Sequence, residues 1–217
     1  AVWREGNNIK ARSATITGNN AVWGSTSTLS SYTVQNPVLS LSSDGSTAIA
    51  VWEGSLAGHS IIQASTANIS GNLANWATAN DISEVSQNSY SPSVSLSGDG
   101  SKAIVVWYRY VSTPQSAVIQ ANSATINSNN ASWAGPLSIS VSGYDALGPE
   151  ISSSQGGDKA TAVWSIKLTS GANWIVQSSS VTIDGNTASW GGPTDLSDTC
   201  SSTFPDPNVS LSGDGTR

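Results

Sequence analysis

The sequence predicts an all-β protein built from repeated units, and three observations support this. Four segments begin alike, at Pro37, Pro92, Pro149 and Pro207, and their starts lie 55, 57 and 58 residues apart. Short apolar runs alternate with serine and end at glycine, asparagine or aspartate, the pattern of short strands joined by tight turns. Charged residues make up only 10% of the 217 residues, against about a quarter in an average globular protein. We therefore expect almost no helix.

Each unit reads as four strands, called A to D in chain order. Strand A follows the proline and ends in turns such as Asp44-Gly45 and Asp99-Gly100, where glycine accepts the positive φ of a tight hairpin. Strand B ends in tryptophan in every unit: Trp3, Trp52, Trp107 and Trp164. Strand C covers Ile9–Ile16, Ile62–Ile69, Ile119–Ile126 and Val176–Ile183. Strand D follows a short turn and also ends in tryptophan: Trp23, Trp76, Trp133 and Trp190.

These strands have two apolar faces, because small or aromatic residues alternate with β-branched ones along strand B, as in Ala48–Trp52. A four-stranded sheet buried on both sides and repeated about every 54 residues is typical of a β-propeller. We predict one domain over 1–217 with four blades, which cover approximately 37–91, 92–148, 149–206, and 207–217 together with 1–36.

The last of these blades is divided between the two ends of the sequence. It forms only if strand A near 207–212 pairs with strand B at Ala1–Arg4. The alternative is that the chain is half of an eight-bladed ring, formed when two chains exchange these ends. The sequence is therefore compatible with a monomer or a homodimer.

The charge balance and the reactive residues exclude several classes of function. A net charge of −6 argues against binding to nucleic acid or to an anionic membrane. A single histidine, His59, and a single cysteine, Cys200, make zinc enzymes and Ser-His-Asp hydrolases poor candidates. We expect no cofactor and no metal. The sparse charge and the lone cysteine suit a secreted or cell-surface protein, most naturally bacterial.

Two C–D turn segments carry a family resemblance. Thr182–Pro193, which contains Asp184-Gly185 and Trp190, and Thr15–Trp23 resemble the Asp-box repeats of sialidase-like β-propellers. The resemblance implies a propeller fold in which the Asp box is a folding motif remote from the active site. Sialidase chemistry in that family also needs an arginine triad. Only two of the four arginines here, Arg4 and Arg109, are predicted near one face, so we expect no catalytic residues.

Unusual residues concentrate in the B–C and D–A connections, which leave a propeller on one face. The A–B and C–D turns on the other face are short and nearly alike. Aromatic and charged side chains on variable loops over a repetitive scaffold are typical of a binding surface. The predicted ligand-binding residues are Tyr108, Arg109, Tyr110, Tyr144 and Trp174.

Three functions are compatible with this pattern. The first is a non-enzymatic binding or scaffold propeller that recognises a glycan or a protein on the variable face. The second is a glycoside-processing enzyme that uses acids such as Glu53 and Asp145, provided that a carboxylate pair converges in a concave site. The third is an excised or engineered repeat array without a ligand.

Overall fold

A computed structural model describes residues 1–30, 34–112, 115–167, 173–198 and 204–217. These residues form twenty strands and no helix, as the sequence predicted. Across the same residues, nothing has the helical length and apolar character needed to cross a membrane.

Three sheets share one antiparallel strand order, in which an inner strand is followed by two long strands and by two short strands on the outer edge. Sheet 1 contains β6 (Gln35–Leu41), β7 (Thr47–Leu56), β8 (His59–Ser70), β9 (Leu73–Trp76) and β10 (Asn80–Asp81). Sheet 2 contains β11 (Ser89–Leu96), β12 (Lys102–Ser112), β13 (Gln115–Asn127), β14 (Asn130–Trp133) and β15 (Leu137–Ser138). Sheet 3 contains β16 (Asp145–Ser153), β17 (Lys159–Lys167), β18 (Trp174–Asp184), β19 (Thr187–Trp190) and β20 (Thr194–Asp195). The predicted order A to D is confirmed, with strand D divided into two pieces.

The N-terminal part of the chain forms an incomplete version of the same unit. The N-terminal sheet contains β1 (Val2–Glu5), β2 (Asn8–Ala11) and β5 (Ser27–Ser30), and a separate hairpin contains β3 (Ala14–Thr17) and β4 (Asn20–Trp23). Among the described residues, strand β1 pairs only with β2, so no inner strand is seen beside it.

Residues 204–217 include no strand, but they lie against sheet 3. The Gln155 amide donates to the Gly213 carbonyl at 2.8 Å, and the Leu211 amide donates to Ser152 Oγ at 3.0 Å. The predicted pairing of 207–212 with Ala1–Arg4 is not confirmed, because β1 is paired with β2 alone among the described strands and residues 207–212 form no strand. The structure shows no closed ring, and it does not confirm four blades.

The core lies between the sheets, as three apolar clusters. One cluster joins the N-terminal sheet to sheet 1, the second joins sheets 1 and 2, and the third joins sheets 2 and 3. In each complete sheet a fully buried indole Nε1–H donates to a glutamine Oε1 on the neighbouring long strand: Trp52 to Gln63 at 3.0 Å, Trp107 to Gln120 at 3.2 Å, and Trp164 to Gln177 at 3.2 Å. This bond recurs at the same place in each of the three complete sheets.

Aspartate and serine stabilise the turns between the first two strands of the units. Ser42 Oγ donates to Asp44 Oδ1 at 2.7 Å, and the Ser46 amide donates to the same oxygen at 2.9 Å. These hydrogen bonds, of which the one from the Ser42 hydroxyl has the largest effect, lower the pKa of Asp44 to about 2. Serine hydroxyls likewise lower the pKa values of Asp99, Asp158 and Asp214. The sequence resembles Asp boxes at the C–D turns, but these aspartate hydrogen bonds lie in the A–B turns. The Asp-box resemblance is therefore unconfirmed.

Replacement of Trp107 by alanine should lower the free energy of unfolding by about 3–5 kcal/mol, because it removes a large, fully buried side chain. Replacement of the partly exposed Tyr110 should lower it by about 1 kcal/mol or less. Urea unfolding followed by tryptophan fluorescence measures both changes. Equal small losses would contradict the assignment of Trp107 to the core between sheets 1 and 2.

The A–B turns should make the protein sensitive to acid. Their aspartates have lower pKa values when folded than the usual 3.8, so they stabilise the fold above that pH and lose this effect as the pH falls towards about 2. The double variant Asp44→Asn, Asp99→Asn should therefore have a lower urea midpoint than the wild type at pH 6, and the difference should shrink at pH 2. The variant Asp184→Asn, which lies outside these turns, is the control. An unchanged difference between the two pH values would contradict the role of the turns.

Candidate binding face

The predicted binding face lies at the end of the sheets where β7 runs into β8, β12 into β13, and β17 into β18. We call this end the loop end, and the opposite end, with the Asp44 and Asp99 turns, the turn end. Two of its connections, 113–114 and 168–172, lie outside the described residues, as do Tyr32 and Cys200. The described part of the loop end still includes all five predicted binding residues.

Three tyrosines form a cluster at the loop end of sheet 2. Tyr108 and Tyr110 are two residues apart on β12, so their side chains leave the same face of the strand. Tyr90 lies opposite Tyr108 in the β11–β12 pairing. The ring centroids are 5.6 Å apart for Tyr90 and Tyr108, 5.9 Å for Tyr90 and Tyr110, and 5.6 Å for Tyr108 and Tyr110. Tyr90 was outside the predicted set of binding residues.

The members of this cluster differ in exposure and therefore in what they can do. Tyr108 packs against the apolar core between sheets 2 and 3. Burial, followed by the neighbouring Tyr110 and the charge of Glu53, raises the pKa of Tyr108 to about 12. Its hydroxyl group therefore stays protonated at neutral pH, and a side-chain hydrogen bond with Tyr110 is among the causes of the raised pKa. Tyr110 has 42% of its surface exposed and is the ring that a ligand can reach.

Arg109 is separated from the two tyrosines that flank it in sequence. Side chains alternate along a strand, and Arg109 contacts Glu84, its Nη1 lying 3.2 Å from Glu84 Oε2. Glu84 belongs to the connection that follows sheet 1. Arg109 thus joins neighbouring units and does not complete the tyrosine cluster.

The two remaining predicted residues also lie outside the tyrosine cluster. Trp174 makes an edge-to-face contact with Phe204, with centroids 5.0 Å apart, and Lys167 Nζ lies 5.9 Å from the Trp174 ring centroid. Tyr144 is exposed in the connection before β16. The described part of the loop end therefore carries two groups of aromatic rings in mutual contact, one on sheet 2 and one on sheet 3.

Sequence reasoning did not identify the environment of Glu53. Glu53 is only 4% exposed, and its Oε1 accepts from Asn36 Nδ2 and from the Ser91 amide, both at 2.8 Å. Asn36 and Ser91 have φ values of 46° and 52° and lie at the irregular points of β6 and β11. A non-glycine residue in this region stores about 1–3 kcal/mol of strain, so a buried carboxylate holds two strained segments in neighbouring sheets.

The third sheet uses glycine at the position equivalent to Asn36 and Ser91. Gly148 precedes Pro149 and has a φ of 59°. A Cβ at this position would lie 2.8 Å from Cζ of Phe204. Glycine therefore permits both the backbone bend and the close approach of the Phe204 ring.

The described acids do not assemble a metal site. Within the ranges given above, no group of three or more His, Cys, Asp or Glu side chains is placed to hold a metal ion. Asp145 accepts from the Ala117 amide at 3.2 Å, so it and Glu53 hold different backbone segments.

Comparison with known proteins gives no family assignment. No protein-family profile matches the chain, and no curated protein matches its sequence. Among solved structures, the chain is similar to a thermostable family-43 glycoside hydrolase, with a TM-score of 0.48, 12% identity, and coverage of 91% of this chain and 75% of that one. It is also similar to TolB from Acinetobacter baumannii, with a TM-score of 0.37, 15% identity, and coverage of 87% of this chain and 41% of TolB.

Proposed function

We propose that the chain is a non-enzymatic binding scaffold of the β-propeller type, which recognises a glycan through the tyrosine cluster of its loop end. The observation that carries the proposal is the mutual contact of Tyr90, Tyr108 and Tyr110 beside an exposed ring face. An aromatic ring packs against the apolar face of a sugar, while the phenol hydroxyl groups exchange hydrogen bonds with sugar hydroxyls. Tyrosine also supplies this contact area at a low cost in conformational entropy.

Rigidity of the supporting strands favours this use of the cluster. Strand β12 pairs with β11 and β13 up to the tyrosines, and Tyr108 is packed into the core. A group held in its binding conformation before the ligand arrives loses little freedom on association. The exposed ring of Tyr110 thus packs against Tyr108, which is itself held by the core.

The propeller part of the proposal is supported by the order in which the sheets stack. Each complete sheet buries one face against the preceding sheet, and sheets 1 and 2 bury the other face against the following one. Blades of a propeller are four-stranded antiparallel sheets packed in this way. The number of blades in a closed ring depends on how the open ends of the stack are paired.

The partners of the two candidate acids support binding without hydrolysis. A glycoside hydrolase needs one carboxyl group as acid and a second as nucleophile or base. Glu53 is engaged by Asn36 and Ser91, and Asp145 is engaged by Ala117. Both carboxylates therefore have structural roles that account for their positions.

A glycan array probed with the 217-residue chain tests the proposal directly. The double variant Tyr108→Ala, Tyr110→Ala should lose binding to any glycan detected, and Tyr110→Ala alone should raise the Kd by about tenfold or more, as expected of a central aromatic contact. Tyr110→Phe should retain most of the affinity if ring stacking dominates.

Asp184→Ala at the turn end and Trp174→Ala on sheet 3 are the controls, and both should bind like the wild type. NMR shift changes that map to the turn end would contradict the site. A chain that binds a protein but no glycan would contradict the assigned ligand class, and detectable glycoside cleavage would contradict the non-enzymatic assignment.

A further inference from the structure

The backbone on both sides of Tyr90 belongs to sheet 2 but is held by sheet 1. On one side, the Ser91 amide donates to Glu53 Oε1 at 2.8 Å. On the other side, Asn88 Oδ1 accepts from the Ser60 amide at 2.9 Å. Glu53 lies on β7 and Ser60 on β8, which are both strands of sheet 1. Tyr90 therefore lies between two hydrogen bonds that come from the neighbouring sheet.

The bond to Glu53 acts where strand β11 is irregular. The pairing of β11 with β12 shifts in register between Tyr90 and Ser93, so Ser91 lies in the irregular part. Its φ of 52° is in the left-handed region, which a non-glycine residue keeps only when its surroundings impose it. An irregularity of this kind redirects the side chains beside it. The conformation of Ser91 therefore helps to set the direction in which the Tyr90 side chain leaves the strand.

The following sheet has a different residue at each of these two positions. In sheet 2, the residue after the strand-B tryptophan is Tyr108, where sheet 1 has Glu53. In sheet 3, the residue before the proline is Gly148, with a φ of 59°, where sheet 2 has Ser91. Glycine adopts a positive φ without a steric penalty. The carboxylate thus occurs in the unit that precedes a strained serine, and the unit without it precedes a glycine.

Glu53 is itself held in place. It is 4% exposed, and the oxygen that accepts from Ser91 also accepts from Asn36 Nδ2 at 2.8 Å. It also lies close to the tyrosine cluster, because its charge contributes to the raised pKa of Tyr108, after burial and the neighbouring Tyr110. A fixed acceptor is therefore present beside the cluster before any ligand binds.

We propose that Glu53 is a positioning residue of the tyrosine cluster. From sheet 1, its carboxylate holds Ser91 of sheet 2 in its left-handed conformation and so keeps the Tyr90 ring against Tyr108 and Tyr110. The cluster is then a product of two packed sheets. The consequence for ligand binding rests on the proposed function, whereas the effect on the three rings does not.

NMR of the chain with isotope-labelled tyrosine rings tests the proposal without a ligand. The wild type should give nuclear Overhauser signals from the Tyr90 ring to the Tyr108 and Tyr110 rings, assigned with single Tyr→Phe variants. Glu53→Ala should lose most of this intensity, because the Tyr90 segment is then held by the Asn88 bond alone. Glu53→Gln keeps an oxygen that accepts hydrogen bonds, and it should retain the signals.

Glu150→Ala is the matched control. Glu150 Oε2 accepts from Ser93 Oγ at 2.8 Å, so this carboxylate also joins strand β11 to a neighbouring sheet, but to sheet 3 and at a different residue. The variant should retain the Tyr90 signals. Unchanged signals in Glu53→Ala, or equal losses in Glu53→Ala and Glu150→Ala, would overturn the proposal.

Replacement of Ser91 by glycine separates an effect on the backbone from a general loosening of the interface. Because glycine accepts the positive φ, adding Ser91→Gly to Glu53→Ala should restore about half or more of the lost signal. Glu53→Asp draws the carboxylate back by one carbon–carbon bond and takes the place of the alanine variant if that variant does not fold. The absence of any restoration by Ser91→Gly would overturn the proposal.

Titration of a glycan detected on the array tests the consequence for binding. Glu53→Ala should raise the Kd by about two- to tenfold, which is the cost of ordering one free side chain, and Glu53→Gln should bind like the wild type. If the wild type binds no glycan, the proposed function fails and the ring signals alone decide the role of Glu53. An unchanged Kd in a Glu53→Ala chain that has lost its Tyr90 signals would overturn the positioning role.

Discussion

The rest of the structure depends on one buried hydrogen bond, from a tryptophan indole to a glutamine on the adjacent long strand. Leaving a buried indole N–H unpaired costs about 1–3 kcal/mol, and each of these bonds joins two residues that lie directly opposite each other in the pairing of β7 with β8, β12 with β13 and β17 with β18. The bond therefore favours that register. Asp81 and Asp195 in turn accept from Gln63 and Gln177, both at 2.8 Å. The N-terminal sheet lacks this bond: Lys10 replaces the glutamine and donates to Thr28 at 2.7 Å, and the third strand is divided there into β2 and β3. The unit without the bond is thus also the unit with the interrupted strand.

The same framework explains why the loop end can vary. The tryptophan, the glutamine and the A–B turns hold the middle and the turn end of each unit, whereas the residue after the strand-B tryptophan differs in every unit: Arg4, Glu53, Tyr108 and Ser165. Glu53 bridges two sheets, Ser165 Oγ donates to the Pro205 carbonyl, and Tyr108 joins the aromatic cluster. The residue at this position therefore differs in its contacts from unit to unit, whereas the tryptophan before it is the same in all four units.

Local pattern was sufficient to predict the strands, but not the contacts between units. The alternation along Ala48–Trp52 and the Asp-Gly turns predicted the hairpin order, because both depend on neighbouring residues. The same alternation, applied to Tyr108–Tyr110, could have separated Arg109 from the tyrosines. The bonds from Glu53 to Asn36 and Ser91, and the open ends of the stack, depend on how distant segments pack, which repeat spacing does not determine. A repeat predicts that a blade can be completed, not which strand completes it.

Hydrogen exchange of the indole N–H groups, followed by NMR with assignment by single Trp→Phe variants, tests the central role of the tryptophan–glutamine bond. The Nε1–H groups of Trp52, Trp107 and Trp164 should exchange only on global unfolding, so their exchange should follow the free energy of unfolding as urea is added. The Nε1–H group of the exposed Trp23 should exchange rapidly under native conditions. Fast, urea-independent exchange at the three buried sites would contradict the account. It would show that these hydrogen bonds open while the sheets stay folded, so that the alignment of the strands does not depend on them.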